Sequence, residues 1–241
     1  MAKSKQTIVF LVAHPDDVAF FMGGTALLLK DKYKLHVICA SRGERGPRFP
    51  SEPPHRGPGL PPPDRALGIR REKEEKAACA MLGADLSFLG ALDGEIFAGQ
   101  DVCKKAARLF SKLKPKAIFT HWPLQKPDHA ATWNIAWQAI HLAGLFWTTE
   151  FYTNLTAGEE RNFPKPDIYV NISSVFEKKM EMSRCHQHKC DDAWIQHLTD
   201  DSALLGKLAC CEYAEAYAAA LPMIAVRWKR KAGSILTEIA V

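Results

Sequence analysis

The stretch Thr7 to Ala13 (TIVFLVA) constrains the fold more than any other. It is an apolar run rich in β-branched residues, and a strand with no polar face must be covered on both sides, as in the interior of a parallel sheet. It stops abruptly at His14-Pro15-Asp16-Asp17. Val18 to Asp31 then has helical apolar spacing, with Gly23-Gly24 allowing a close approach to the sheet, and Leu35 to Ala40 reads as a second strand. This β-loop-α-β opening predicts an α/β fold with a doubly wound, mostly parallel sheet and right-handed crossovers.

The remaining chain continues the alternation. Strands are predicted at Leu86 to Leu89, Ala117 to Thr120, Glu150 to Thr153 and Asp167 to Ile172, and helices at Arg70 to Leu82, Asp101 to Leu113, Ala130 to Ala143 and Val175 to Cys190. Gly83 stands where a helix C-cap belongs. Between Gly43 and Gly68, proline and glycine are too dense for helix or interior strand, which predicts a long loop of the flap or binding type. After Asp191 the pattern turns helical and Ala-rich (SALLGKLACCEYAEAYAAAL), read as peripheral packing. With 241 residues and no composition break, a single domain over 1–241 is expected.

Composition excludes several classes of function. Hydrophobic residues at 47% and charged residues at 24% argue against a disordered chain, and no apolar stretch reaches the roughly 20 residues of a membrane-spanning helix. The net charge of +5 is spread along the chain, so nothing points to nucleic acid. Seven cysteines, an odd number, with MAKSKQ running straight into the first strand, predict reduced thiols and a cytoplasmic location.

Two motifs carry chemistry. His14-Pro15-Asp16-Asp17 lies at the carboxyl end of the first strand, where open α/β sheets place ligands. The spacing lets His14 and Asp17 converge as metal ligands while Asp16 is left as a base for a bound water. Pro127-Asp128-His129 follows another strand end, Thr120-His121-Trp122. A ligand from it would complete two histidines and one carboxylate with a position open for substrate, a catalytic rather than a structural arrangement. Either motif alone would be an ordinary hydrogen-bonded turn; the conjunction favours metal. Trp122, beside the proposed site, could stack on a sugar face. Cys185-His186-Gln187-His188-Lys189-Cys190 lacks the two paired ligand groups of a structural zinc module.

With these residues in order, the chain resembles the PIG-L or LmbE-like family, zinc-dependent N-acetylglucosaminylphosphatidylinositol deacetylase-like proteins. The resemblance covers nearly the whole chain. It rests on AHPDD (Ala13 to Asp17) with Gly23-Gly24; SRGERG (Ser41 to Gly46); Arg71 and Glu74 ahead of Leu82-Gly83; THWP with PDH (Thr120 to His129); and Lys179 with His186 in KMEMSRCH. It implies a Rossmann-like three-layer αβα fold and removal of an N-acetyl group from an N-acetylglucosamine-type sugar or glycoside. It further implies Zn²⁺ on His14, Asp17 and His129, Asp16 as general base and His186 as donor to the oxyanion. Arg71 would contact the sugar, Asp128 would orient a histidine ligand or the base, and a homo-oligomer, trimer or hexamer, would be usual. Fe²⁺, Co²⁺ and Ni²⁺ suit the same ligands.

This sequence departs from the family's pattern in three places. Lys126 replaces a histidine commonly assigned as general acid, and Pro123-Leu124-Gln125 is one residue short and lacks the usual Asp. The His-x-Ser-Gln that usually follows is here His186-Gln187-His188-Lys189. A lysine protonates an amine leaving group only if its pKa falls towards neutrality. Otherwise Asp16 returns the proton, or His121 supplies it. Amidase action on another acylated amine or a sugar-thiol conjugate, and a metal-retaining carbohydrate-binding protein without turnover, are the alternatives.

Overall fold

Strands β1 (Thr7–Val12), β2 (Lys34–Cys39), β3 (Asp85–Phe88), β4 (Ala117–His121) and β5 (Glu150–Leu155) run parallel. They are joined by β6 (Ile168–Asn171) and β7 (Ala214–Leu221) in one seven-stranded sheet of order β3-β2-β1-β4-β5-β7-β6, with β7 antiparallel to both neighbours. This is a computed structural model, and it describes residues 5–50, 52, 58–124, 126–156, 166–221 and 235–239.

The all-apolar β1 sits between β2 and β4, and its alternation feeds two cores. Ile8, Phe10 and Val12 face α1 (Gly23–Leu29), α2 (Arg65–Leu82) and α5 (Phe176–Ser183). Val9, Leu11 and Ala13 face α3 (Gln100–Leu113) and α4 (Pro127–Leu142). Three layers follow because both faces of the strand are apolar, each large side chain gaining about 1.5–3 kcal/mol on burial.

Several boundaries differ from expectation for local reasons. The helix after Asp17 begins as a π-helical turn, Val18–Met22, before α1. Helix α2 starts at Arg65, inside the predicted loop, because Asp64 caps it by accepting the amides of Ala66 and Leu67; Gly83 ends it with φ +62° as expected. Helix α5 stops at Ser183, well before Cys190, as the amides of Cys185 and His186 turn back to Met182 and Ser183.

The largest correction is the Ala-rich tail. Helix α6 (Asp192–Leu208) ends, and Ala214–Leu221 is an interior antiparallel strand rather than peripheral helix. Its period is two: Ala214, Ala216 and Ala218 pack under Leu205 of α6, while Glu215 and Tyr217 face the other way. Buried Glu215 accepts the amides of Gly24 and Thr25 at 2.8 and 2.9 Å and pairs with Lys179 Nζ at 2.9 Å, which ties β7 to α1 and α5.

Candidate metal centre and catalytic site

The crevice at the carboxyl ends of β1, β2, β3 and β4 collects most of the buried charge among the described residues. The turn after β1 is strained: Asp16 holds φ +110°, a conformation that costs a non-glycine residue about 1–3 kcal/mol. Two residues of α2 fix it. Glu75 Oε2 accepts the Asp16 amide at 2.9 Å, and Arg71 Nη2 donates to Pro15 O at 2.8 Å and to Asp16 Oδ2 at 3.0 Å. Arg71 Nη1 also donates to Gly43 O at 2.9 Å. A Cβ on Gly43 would stand 2.0 Å from that nitrogen, so the glycine is what lets the guanidinium reach Asp16.

His14, Asp17 and His129 are brought together as predicted. One ligand atom from each lies within 4.8 Å of the other two. Asp17 Oδ2 is 3.5 Å from His14 Nδ1, and Oδ1 is 3.5 Å from His129 Nε2. His14 Nε2 turns the other way, to Asp128 Oδ2 at 3.2 Å and Asp93 Oδ1 at 3.1 Å, the carboxylate support that orients metal-binding histidines. Asp128 itself sits in the first turn of α4 behind Pro127 and accepts the Gly94 amide at 2.6 Å.

The donor set fits a divalent ion. Two imidazoles and a carboxylate suit Zn²⁺ and its neighbours. Three carboxylates, Asp17, Asp93 and Asp128, face the one imidazole of His14, an excess of negative charge that a cation would neutralise. Burial alone would push the His14 imidazole down, but the hydrogen bonds it donates to Asp128, Asp17 and Asp93 outweigh it and hold it well above its ordinary value. Burial would raise Asp17; His121 and His129 together hold its carboxyl well below the usual range.

His121 has a structural post. Its Nε2 lies 3.0 Å from the Ala13 amide nitrogen and 3.1 Å from Asp17 Oδ2, and its ring stacks on His129 at 3.8 Å, so it steadies two of the three ligands. Burial and the His129 charge push its imidazole down to about 4, against the pull of Asp17.

Asp16 is 4% exposed, and although burial opposes ionisation, the Arg71 charge and the His188 contact hold its carboxyl below the usual range. Its imidazole neighbour is His188, not His186. His188 Nε2 lies 3.2 Å from Asp16 Oδ2, and His188 Nδ1 lies 2.5 Å from Glu74 Oε2. His186 is fully buried, edge-on to Phe20, with Nε2 3.6 Å from Glu75 Oε2; burial pushes its imidazole down to about 4.

Three other expected residues are placed as follows. Arg71, expected to contact the sugar, is 4% exposed; its Nη atoms hydrogen-bond Gly43 O, Pro15 O and Asp16 Oδ2, which positions Asp16, and its buried Nε has no partner among the described residues. Lys126 is exposed at the N-cap of α4, while Trp122 is half-buried against the core formed by Leu155, Leu205 and Ala216. Lys189, which no spacing singled out, lies over the Trp194 ring at 4.0 Å, and its ammonium is pushed down by burial, opposed by Asp16 and assisted by Lys126. Asp93, Glu75, His188 and Lys189 are the site residues that motif reading missed. The signal available for Asp93 was its place just past a strand's carboxyl end, and for His188 its place two residues after His186.

A doubly wound sheet whose strand-end crevice gathers two imidazoles and a carboxylate beside a buried ionised aspartate has the layout of a metal-assisted hydrolytic enzyme. The family model described as PIG-L, GlcNAc-PI de-N-acetylase, matches residues 9–140, and the chain belongs to that family. Among curated proteins it is 27% identical over 191 residues to "Probable N-acetyl-alpha-D-glucosaminyl L-malate deacetylase 2" of Bacillus cereus, covering 76% of this chain and 84% of the relative. It is also 27% identical over 198 residues to 4-oxalmesaconate hydratase of Pseudomonas putida, covering 77% of this chain and 74% of the relative. The structure of N,N'-diacetylchitobiose deacetylase from Pyrococcus horikoshii superimposes with a TM-score of 0.73 at 20% identity, over 95% of this chain and 88% of that one. No described helix is long and apolar enough to cross a membrane.

Proposed function

We propose that this protein is a Zn²⁺-dependent N-deacetylase acting on an N-acetylglucosamine-type sugar or glycoside. The observation that carries the reading is the convergence of His14, Asp17 and His129 within 4.8 Å next to an ionised, immobilised Asp16. The deacetylase relatives support the substrate class. A divalent ion on those three ligands would supply Lewis acidity and a water that loses its proton near neutral pH.

The chain's own residues do the rest. Asp16 accepts the proton of the attacking water, with Arg71 and His188 holding its carboxylate in place. The amide C–N bond breaks, acetate leaves, and the amine nitrogen takes up the proton. With Lys126 exposed at the helix N-cap, Asp16, which took the proton, is the group assigned to return it. His188, with Nδ1 on Glu74 and Nε2 beside Asp16 Oδ2, stands next to the base, whereas His186 Nε2 faces Glu75, so His188 is the better candidate to donate towards the carbonyl oxygen as charge develops there.

A second reading has its own observation. Lys126 and Lys189 stand where the family's pattern has a histidine and a glutamine, and the Lys189 ammonium is within electrostatic reach of both Lys126 and Asp16. Such a site suits a carboxylated substrate, and addition of water to an unsaturated acid would use the same base; one relative is named 4-oxalmesaconate hydratase. Acetate release from N-acetylglucosamine, its oligomers and its glycosides, run beside absorbance loss from unsaturated dicarboxylic acids, separates the two. The deacetylase reading expects the first and is abandoned on the second.

A further inference from the structure

A second group of ligand-type side chains lies outside the set His14, Asp17 and His129. Glu74, on α2, and His186 and His188, in the turns between α5 and α6, each offer one atom within 4.8 Å of the other two. Cys185 and Cys190, which bracket the histidines in sequence, are not in the group. His186 is fully buried, and among the described residues neither of its ring nitrogens has a hydrogen-bond partner. Buried polar groups are rarely left so, and a neutral imidazole with a free lone pair is a good ligand for borderline transition-metal ions. Glu75 Oε2, 3.6 Å from His186 Nε2, stands by as a further oxygen donor.

We propose that Glu74, His186 and His188 form a second divalent-cation site, taking a Zn²⁺-type ion through two imidazoles and a carboxylate, and that filling it inhibits the enzyme by making His188 a stronger donor to Asp16, which weakens the base. Metal bonds of about 2.0–2.2 Å set tetrahedral donor atoms about 3.3 Å apart, so the 2.5 Å Glu74–His188 contact must open by under about 1 Å. The ion would replace the hydrogen bond now made there, and rotation of the Glu74 carboxylate can supply the opening. His188 would bind through Nδ1 and keep Nε2 on Asp16 Oδ2 at 3.2 Å, which links occupancy to the base through one imidazole. The binding stands on its own; only the inhibition rests on the proposed deacetylase activity.

The test is a metal count. Full-length protein is stripped with chelator, dialysed against graded Zn²⁺ and assayed for zinc per chain by mass spectrometry, alongside Glu74→Gln and His186→Asn. These substitutions lie on different elements, so misfolding of one leaves the other informative. The expected result is about two ions per wild-type chain in excess zinc and about one in each variant. In wild type, acetate release should rise with the first equivalent and fall at least tenfold with the second. Saturation of wild type at one ion, or a second ion retained by both variants, overturns the site. Two ions with no turnover at any load contradict the deacetylase reading, and with it the inhibition, while supporting the site.

Discussion

Asp16 is where backbone, charge and chemistry meet. Its φ of +110° persists because Glu75 and Arg71 hold the turn from α2, and the same arginine keeps the carboxylate ionised. Asp16→Asn should lower turnover by about 10²–10⁴-fold with zinc content unchanged; a variant that loses its zinc instead would place Asp16 among the ligands. Arg71→Ala leaves a buried carboxylate without its cation, and urea unfolding should show a loss of about 3–5 kcal/mol, whereas a loss below 1 would mean that the pair is solvated. Glu75 gives a pH signature. Burial, and the negative charge of Asp16 and Asp17, outweigh the Asp16 amide bond and push its carboxyl up from the ordinary 4.5 to about 7. Between those values the unfolded chain loses the proton and the folded chain keeps it, so folding weakens as pH rises through the window. In metal-free protein Glu75→Gln should therefore match wild type near pH 5 and exceed it by up to about 3 kcal/mol at pH 8; an equal effect at both pH values refutes the assignment. His14, Asp16, Asp17, Asp128 and His129 were legible in sequence because they crowd two strand ends. The Glu75–Asp16 and His188–Asp16 contacts span 59 and 172 residues, and no spacing rule reaches across such distances.

Elements supply what single motifs cannot. Helix α2 presents Arg71, Glu74 and Glu75 at i, i+3 and i+4, one face aimed at Asp16 and His188, so the helix acts as the backing plate of the base. Its last turn and glycine cap were readable; its start was hidden by the proline-rich segment, whose final residues Asp64 converts into a capped helix. Strand β7 was misread because alanine favours helix, and the period of two shows only in Glu215 and Tyr217. Tertiary contacts decide the matter: Glu215 satisfies the amides of Gly24 and Thr25 and the Lys179 ammonium, all buried. Glu215→Ala should cost about 3–5 kcal/mol in a denaturant titration, because it strands that ammonium, and Lys179→Met in the same background should recover part of the loss. A null effect of Glu215→Ala would show that β7 is held by its alanine face alone.

At the scale of the whole molecule, one apolar strand organises the rest. With β1 between β2 and β4, its two faces define both cores, and its carboxyl end delivers His14, Asp16 and Asp17 to the crevice where β4 and α4 deliver His121, Asp128 and His129. The parallel half of the sheet, β1 to β5, followed from β-loop-α-β alternation, and the antiparallel end did not, because nothing local tells a tail strand to insert between β5 and β6. If the crevice binds metal, chelator treatment should lower the melting temperature, and zinc should restore it in a concentration-dependent way. The most direct test of the central claim is acetate release from N-acetylglucosamine, its oligomers and its glycosides by protein stripped of metal and reconstituted with one equivalent of Zn²⁺. The account predicts release that appears only with metal and disappears in Asp16→Asn. No acetate from any of these substrates with the ion bound, or water addition to an unsaturated dicarboxylic acid in its place, would contradict it.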